Sequence, residues 1–125
     1  QARVHFLGWV EDLISAIAAL DLFVLSSHYE GLGVVLLEAL ALERPVVSTR
    51  VGGTQDILED GIHGLFAPAH DPPALAAAVQ RLLDDPGLAA RLAAAGKEKV
   101  WREYSAREAD QKVLDLYLKR FKNRE

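Results

Sequence analysis

Short apolar runs that are typical of buried strands alternate along the chain with helical patterns. The strand-like runs cover residues 4–7, 21–25, 45–48 and 64–67. Between them, apolar residues at helical spacing predict helices over residues 11–20 and 34–42, and a short helix that ends near residue 58. Buried strands separated by helices favour a parallel sheet with both faces covered. The predicted fold class is therefore α/β, a Rossmann-like parallel sheet with flanking helices.

From residue 71 onward the pattern is helical. Asp71 is followed by two prolines, a typical helix start, and Asp85 before Pro86 ends that helix and begins another. We expect the second helix to end at Gly96. A third helix is predicted from Ser105, which with Glu108 forms a capping box, to Phe121. The chain therefore has a helical C-terminus.

Composition narrows the class of protein. The 125 residues, half of them apolar, suffice for one domain with a real core, so we treat 1–125 as a single domain. The absence of cysteine excludes thiolate metal sites and redox pairs.

With 18 acidic and 14 basic residues, the net charge of −4 argues against a nucleic-acid partner. No apolar run is long enough to span a membrane, and the start lacks both Met and a signal-peptide pattern. We expect a piece of a longer, cytoplasmic protein.

The most informative segment is the loop between the run at residues 21–25 and the next helix. It lies where open α/β sheets bind their ligands, at the carboxyl end of a strand. Gly31 and Gly33 would let a bulky anion approach the backbone, and the amides of Gly33, Val34 and Val35 would carry the positive end of the helix dipole. These features favour a phosphate site.

Two carboxylates flank this predicted anion site. Glu30 precedes the amides, and Glu38 lies about a turn and a half inside the helix. Carboxylates accept hydrogen bonds from hydroxyl groups and do not bind phosphate. Anion-binding amides between two hydroxyl acceptors suit a diphosphate that joins two polyols, as in a nucleotide sugar. Taken alone, either feature is more often a plain turn or a solvated surface.

The spacing Glu30-x7-Glu38, within residues 26–47, resembles the signature of the retaining family 4 glycosyltransferases, also called glycosyl transferases group 1, of GT-B fold. The resemblance covers nearly the whole chain, which is then part of the C-terminal, donor-binding domain. It implies that Glu30 lies at the donor sugar as the catalytic residue and that Glu38 binds the donor ribose. It places the diphosphate on Gly31, Leu32, Gly33 and Val34.

The resemblance also implies the reaction. The parent protein would transfer a sugar, with retention of configuration, from a nucleotide-sugar donor to a glycan or a lipid-linked acceptor, without a metal or other cofactor. Peripheral membrane association at the inner face of the membrane would accompany a lipid-linked acceptor. The family's basic pair and its N-terminal acceptor domain have no counterpart in these residues, so we expect the isolated piece to be inactive. The family's Gly-Gly-x-Pro-Glu stands here as residues 52–56 without the proline, which we interpret as a local change in stability.

Three other interpretations stay open. A sugar-nucleotide epimerase of the same fold would share the crevice, and a non-catalytic interaction module would not bind nucleotides. A glycoside hydrolase would need both carboxylates in one sugar-sized cleft. Among other residues, we expect His28 to be solvated, Arg50 to be a surface arginine, and Trp9 and Trp101 to pack in the interior. The remaining histidines lack the spacing of a metal site.

Overall fold

The computed structural model describes residues 3–105, which form a three-stranded sheet covered by helices. In chain order the elements are α1 (Leu13–Ala18), β1 (Phe23–Leu25), α2 (Val34–Ala41), β2 (Val46–Thr49), α3 (Thr54–Ile57), β3 (Leu65–Ala67), α4 (Pro72–Asp84) and α5 (Pro86–Glu103). The strands are parallel and lie in the order β1-β2-β3. The predicted α/β class is confirmed, and all three carboxyl ends meet at one edge.

The central strand β2 divides the core into two halves. Its successive residues Val46 and Val47 point to opposite faces, as in any strand, and both are fully buried. Val46 packs in one cluster with side chains from α1, α2, α3 and the end of α5, such as Val100. Val47 packs in the other with α4 and the start of α5, including Leu82 and Leu92. We call these the α2 face and the α4 face.

The two long helices begin as the sequence predicts. The Asp71 carboxylate accepts a hydrogen bond from the Ala74 amide at 2.9 Å, and Asp85 accepts one from the Leu88 amide at 2.9 Å. A proline follows each cap at the first helical position, where its missing N–H costs nothing. These local signals predict the first residues of α4 and α5 correctly.

The predicted end of α5 at Gly96 is wrong. The helix continues to Glu103, and Gly96 lies buried within it. A Cβ at this position would stand 2.6 Å from Cδ2 of Leu40 and 3.2 Å from the His63 carbonyl oxygen. Glycine is therefore present because α5 crosses α2 at close range, and not because the helix ends.

The predicted strand over residues 4–7 is also wrong, because this segment pairs with no other strand among residues 3–105. Its apolar side chains are exposed, Phe6 to 96%. Trp9 and Trp101 do not pack in the described interior either, since they are 92% and 60% exposed. The helix predicted from Ser105 to Phe121 lies outside the described residues, apart from Ser105 itself.

Candidate functional site

The loop that carries the predicted anion site joins the carboxyl end of β1 to the start of α2. Gly33 is the N-cap residue of α2 and adopts the left-handed conformation, with φ 67° and ψ 45°. A side chain would strain the backbone at this angle, so glycine is the residue suited to this turn. The loop therefore enters the helix without a Ser, Thr, Asp or Asn at the capping position.

Because the N-cap residue is glycine, no capping side chain covers the first turn of α2. This turn also contains no acidic residue. The amides of Leu36 and Leu37 donate to the Gly33 carbonyl oxygen at 2.9 and 3.3 Å. The preceding side chains of Leu32 and Val34 are 62% and 56% exposed. The amides of Val34 and Val35, which precede Leu36 in this first turn, are therefore the donors that an anion site at this place would use.

Glu30 lies beside this helix start. Its carboxylate accepts a hydrogen bond from the Ser27 hydroxyl at 3.1 Å. A Cβ built on Gly33 would stand 3.5 Å from Cγ of Glu30, so the Glu30 side chain runs along the capping residue. The half-buried carboxylate is held in place while part of it remains accessible.

Glu38 lies on α2 itself, four residues after Val34. Residues four apart share a face of a helix, and the rise between them is about 6 Å. Glu38 is half-buried, whereas its neighbours Ala39 and Leu40 are in the core. Glu38 therefore lies on the same face of α2 as the exposed Val34, one helical turn further along. Glu30 lies beside the N-cap residue of the same helix.

A contact that the sequence did not predict supports the loop from below. Gly52 and Gly53, which follow β2, pack directly on the backbone of Glu30 and Gly31. The Gly53 amide donates to the Glu30 carbonyl oxygen at 3.1 Å. A Cβ on Gly53 would collide with the Gly31 carbonyl oxygen. The glycine pair was the available signal, but only the fold shows which backbone it approaches.

The turn after Gly53 is tied together by buried hydroxyl groups. Oγ1 of Thr54 lies 2.6 Å from the Val51 carbonyl oxygen and 3.1 Å from that of Thr49. Thr49 in turn donates from Oγ1 to the Ser27 carbonyl oxygen at 2.5 Å. The short helix α3 begins at Thr54 although the chain lacks the family's proline there. The two loops thus form one connected unit.

His28 and Arg50 are both exposed, as expected, but each contacts another side chain. His28 is exposed but not simply solvated, because its ring stacks on that of His70, with centroids 4.1 Å apart and planes 14° apart. Arg50 does lie at the surface, where it forms an ion pair with Asp60 at 3.2 Å and covers the Phe66 ring at 4.5 Å. The His28–His70 contact joins two distant loops, so sequence patterns had no means of detecting it.

Two searches of the described residues bear on the class of site. Between residues 3 and 105 no group of three or more His, Asp or Glu side chains is arranged to hold a metal ion. Within the same range, none of the helices combines the length and apolar character needed to cross a bilayer.

A family model described as "Glycosyl transferases group 1" matches residues 1–85. The chain belongs to this family. Among its relatives, the lipopolysaccharide core biosynthesis glycosyltransferase LpsE of Rhizobium meliloti (strain 1021) is 42% identical over 116 residues, which are 93% of this chain and 33% of LpsE.

Solved structures agree with this assignment. HepE of Anabaena, in complex with UDP, superimposes with a TM-score of 0.89 at 25% identity over 94% of this chain and 32% of HepE. Sucrose-phosphate synthase of Thermosynechococcus elongatus gives 0.87 at 35% identity over 97% of this chain and 31% of its own. The resemblance to GT-B glycosyltransferases is confirmed, and the chain spans about a third of the length of these relatives.

Proposed function

We propose that the full-length protein is a retaining glycosyltransferase and that the loop from Glu30 to Val34 binds its nucleoside-diphosphate-sugar donor. The observation that carries this proposal is the uncapped start of α2, with the Glu30 side chain along its capping glycine. Family membership supports the class of reaction. The related HepE has been solved with UDP and with UDP-glucose, which supports a nucleotide-sugar donor.

The diphosphate would bind at the helix start. A helix carries about half a positive elementary charge at its N-terminus, and the free amides after Gly33 supply directional donors. Gly31 has open space on its side-chain side, so a phosphate can approach the loop backbone there. Because the Gly52–Gly53 turn packs against the backbone of Glu30 and Gly31, the loop would need little rearrangement to bind the diphosphate.

The two glutamates would bind the two ends of the donor. Glu38, one turn along the helix from Val34, would accept hydrogen bonds from the ribose hydroxyl groups. Glu30 would contact the transferred sugar as the catalytic carboxylate, while the Ser27 hydroxyl keeps its side chain in position. Leu32 and Val34, whose side chains are exposed, would contact the diphosphate together with Gly31 and Gly33.

The mechanism would be electrostatic. As the bond between the sugar and the diphosphate breaks, negative charge grows on the leaving oxygen and positive character grows on the sugar. Preorganised amides stabilise the first and the Glu30 carboxylate the second, and loss of one such donor commonly costs about 10²- to 10³-fold in rate. The acceptor would attack from the face that the diphosphate leaves.

Three further properties stay predictions. They are a glycan or lipid-linked acceptor, a cytoplasmic location near the inner face of the membrane, and the inactivity of residues 1–125 alone.

The test separates the two carboxylates in the full-length protein. Glu38→Gln should weaken binding of UDP and raise the donor KM, because the ribose contact exists in the ground state as well as in the transition state. Glu30→Gln should lower kcat and leave UDP affinity nearly unchanged. A charge-assisted hydrogen bond is worth about 1.5–3 kcal/mol, so each effect should be roughly ten- to a hundredfold.

Calorimetric titration with UDP and steady-state kinetics measure both effects. The matched control is Glu98→Gln, which removes one exposed carboxylate on α5 that lies 3.5 Å from the Arg102 guanidinium group. It should leave both quantities unchanged. Equal loss of UDP affinity in the Glu30 and Glu38 variants would contradict the division of roles. No change in either variant would contradict the proposed site.

A further inference from the structure

The backbone from Ser27 to Glu30 is hydrogen-bonded at both ends to the end of β2 and the turn after it. Oγ1 of Thr49 donates to the Ser27 carbonyl oxygen at 2.5 Å. The Gly53 amide donates to the Glu30 carbonyl oxygen at 3.1 Å. The Ser27 hydroxyl also donates to the Glu30 carboxylate at 3.1 Å. His28 lies between the two ends with an exposed side chain, so its position depends on what its ring contacts.

The His28 ring contacts the His70 ring, which comes from the loop between β3 and α4. The two rings are stacked, with their centroids 4.1 Å apart and their planes 14° apart. Aromatic pairs in contact change an equilibrium constant by roughly two- to tenfold beyond the effect of the area that they bury. The stack therefore joins the middle of this backbone segment to a third loop, separate from the turn after β2.

His70 has a firm position from which to make this contact. It immediately precedes Asp71, whose carboxylate accepts a hydrogen bond from the Ala74 amide at 2.9 Å at the start of α4. The backbone of His70 has φ 61°, an angle that glycine adopts without strain and other residues rarely adopt. A strained angle that persists in a folded protein indicates a role for the residue. The ring contact with His28 is the role that the structure shows for this side chain.

We propose that His70 is a positioning residue, which through His28 holds the loop from Glu30 to Val34 in the conformation that binds the nucleoside diphosphate. His28 is two residues before Glu30, so a displacement of His28 also displaces the start of that loop. Without the stack, only a fraction of the molecules keeps the binding conformation, and the apparent affinity for a ligand falls by that fraction. The part of this inference that concerns the diphosphate rests on the proposed function.

The first measurement needs no ligand. Amide hydrogen exchange of residues 27–34 is followed by mass spectrometry in the full-length protein. His28→Ala removes one ring, and His70→Gly removes the other while it relieves the backbone angle. Each variant should speed exchange of this segment roughly two- to tenfold, the range expected for one aromatic pair. The double variant should exchange no faster than either single variant, because all three lack the same contact.

Two further variants separate the stack from other effects of these substitutions. His28→Phe keeps a ring that can stack on His70 and should restore native exchange. Tyr29→Ala removes a neighbouring ring that is 85% exposed, and this matched control should leave exchange unchanged.

The second measurement is calorimetric titration with UDP, together with steady-state kinetics of the donor. His28→Ala and His70→Gly should each raise the Kd of UDP and the donor KM roughly two- to tenfold, again without additivity in the double variant. The value of kcat should stay unchanged, because the bound donor selects the native loop conformation. A purely structural role would lower the melting temperature and leave UDP affinity and the donor KM at their native values.

The outcomes are distinct. Native exchange in both ring-removing variants would overturn the inference, and so would faster exchange with native UDP affinity. Additive effects in the double variant would show that the two rings act separately, which would also contradict it. Absence of UDP binding to the native protein would instead contradict the proposed function, and the exchange data would still support or overturn the hold of the stack on the loop.

Discussion

Gly53→Ala is the sharpest perturbation that the site offers, because it adds a single methyl group against the loop from Glu30 to Val34, which we call the donor loop after its proposed role. The backbone of Gly53 is already helical, with φ −63° and ψ −14°, so alanine is compatible with its torsion angles. The new Cβ would nevertheless collide with the Gly31 carbonyl oxygen. Either the loop carrying Glu30 and Gly31 or the turn carrying Gly53 must move.

Opposing effects set the magnitude. Without a collision, replacement of glycine by alanine at a compatible position stabilises a protein by about 0.4–1 kcal/mol through the unfolded state. Overpacking of a tight contact costs about 1–3 kcal/mol. Separation of the two loops also breaks the hydrogen bond from the Gly53 amide to the Glu30 carbonyl oxygen, worth about 0.5–1.5 kcal/mol. We expect a net loss of about 1–3 kcal/mol in the free energy of unfolding, and weaker UDP binding.

Two other glycines provide controls, and urea denaturation with UDP calorimetry provides the measurements. A Cβ on Gly31 meets nothing within 4 Å, so Gly31→Ala should keep the native stability and weaken only UDP binding, since the methyl group projects from the proposed phosphate loop. A Cβ on Gly87 would meet only the Asp85 carboxylate at 3.5 Å, an ordinary contact, so Gly87→Ala should change neither quantity for the worse.

The reasoning would be refuted by a Gly53→Ala protein as stable as the native one and with the same affinity for UDP. Loss of stability with full UDP affinity would leave the packing argument intact but contradict the link between this turn and the donor loop. Equal loss of stability in Gly31→Ala would show that the loop glycines matter for another reason than the collision.

Three further predictions follow from other parts of the structure. Asp85→Ala removes the α5 cap and should cost about 1 kcal/mol of stability by urea denaturation, whereas Asp84→Ala, at an exposed position on α4, should cost less. Burial, and next the charge of nearby Lys99, lower the pKa of His63, whose Nδ1 accepts a hydrogen bond from the Glu59 amide at 3.2 Å. Because the unfolded chain then binds the proton more readily than the folded one, the free energy of unfolding should fall as the pH decreases below about 6.5 towards the lowered pKa. His63→Asn should remove that part of the pH dependence of the melting temperature, and an identical profile in the variant would contradict the assignment. Sugar transfer by the full-length protein should survive EDTA, and loss of activity restored by Mg²⁺ or Mn²⁺ would contradict a donor site that relies on amides.

Local patterns in the sequence predicted most of the elements. Continuous apolar runs marked β1, β2 and β3 because strands of a sheet covered on both faces are rich in apolar residues, although β2 ends in the buried hydroxyl residues Ser48 and Thr49. The helices α4 and α5 begin where predicted because Asp71 and Asp85 cap them with contacts only three residues away. The Glu30-x7-Glu38 spacing was likewise readable, since the loop and the helix that carry it are contiguous in the chain.

The tertiary structure decided whatever depends on a distant neighbour. The apolar segment at residues 4–7 has the composition of a strand, but a strand forms only against a partner, and none lies beside it in the described part of the chain. Gly96 looked like the end of a helix, but a glycine is needed there because Leu40, 56 positions earlier in the sequence, packs against it. The support that the Gly52–Gly53 turn gives the donor loop depends in the same way on the close approach of two separate loops. Composition and spacing depend only on the order of residues along the chain. A collision, a stacked ring pair or the absence of a strand partner depends on residues that are far apart in sequence and meet only when the chain folds.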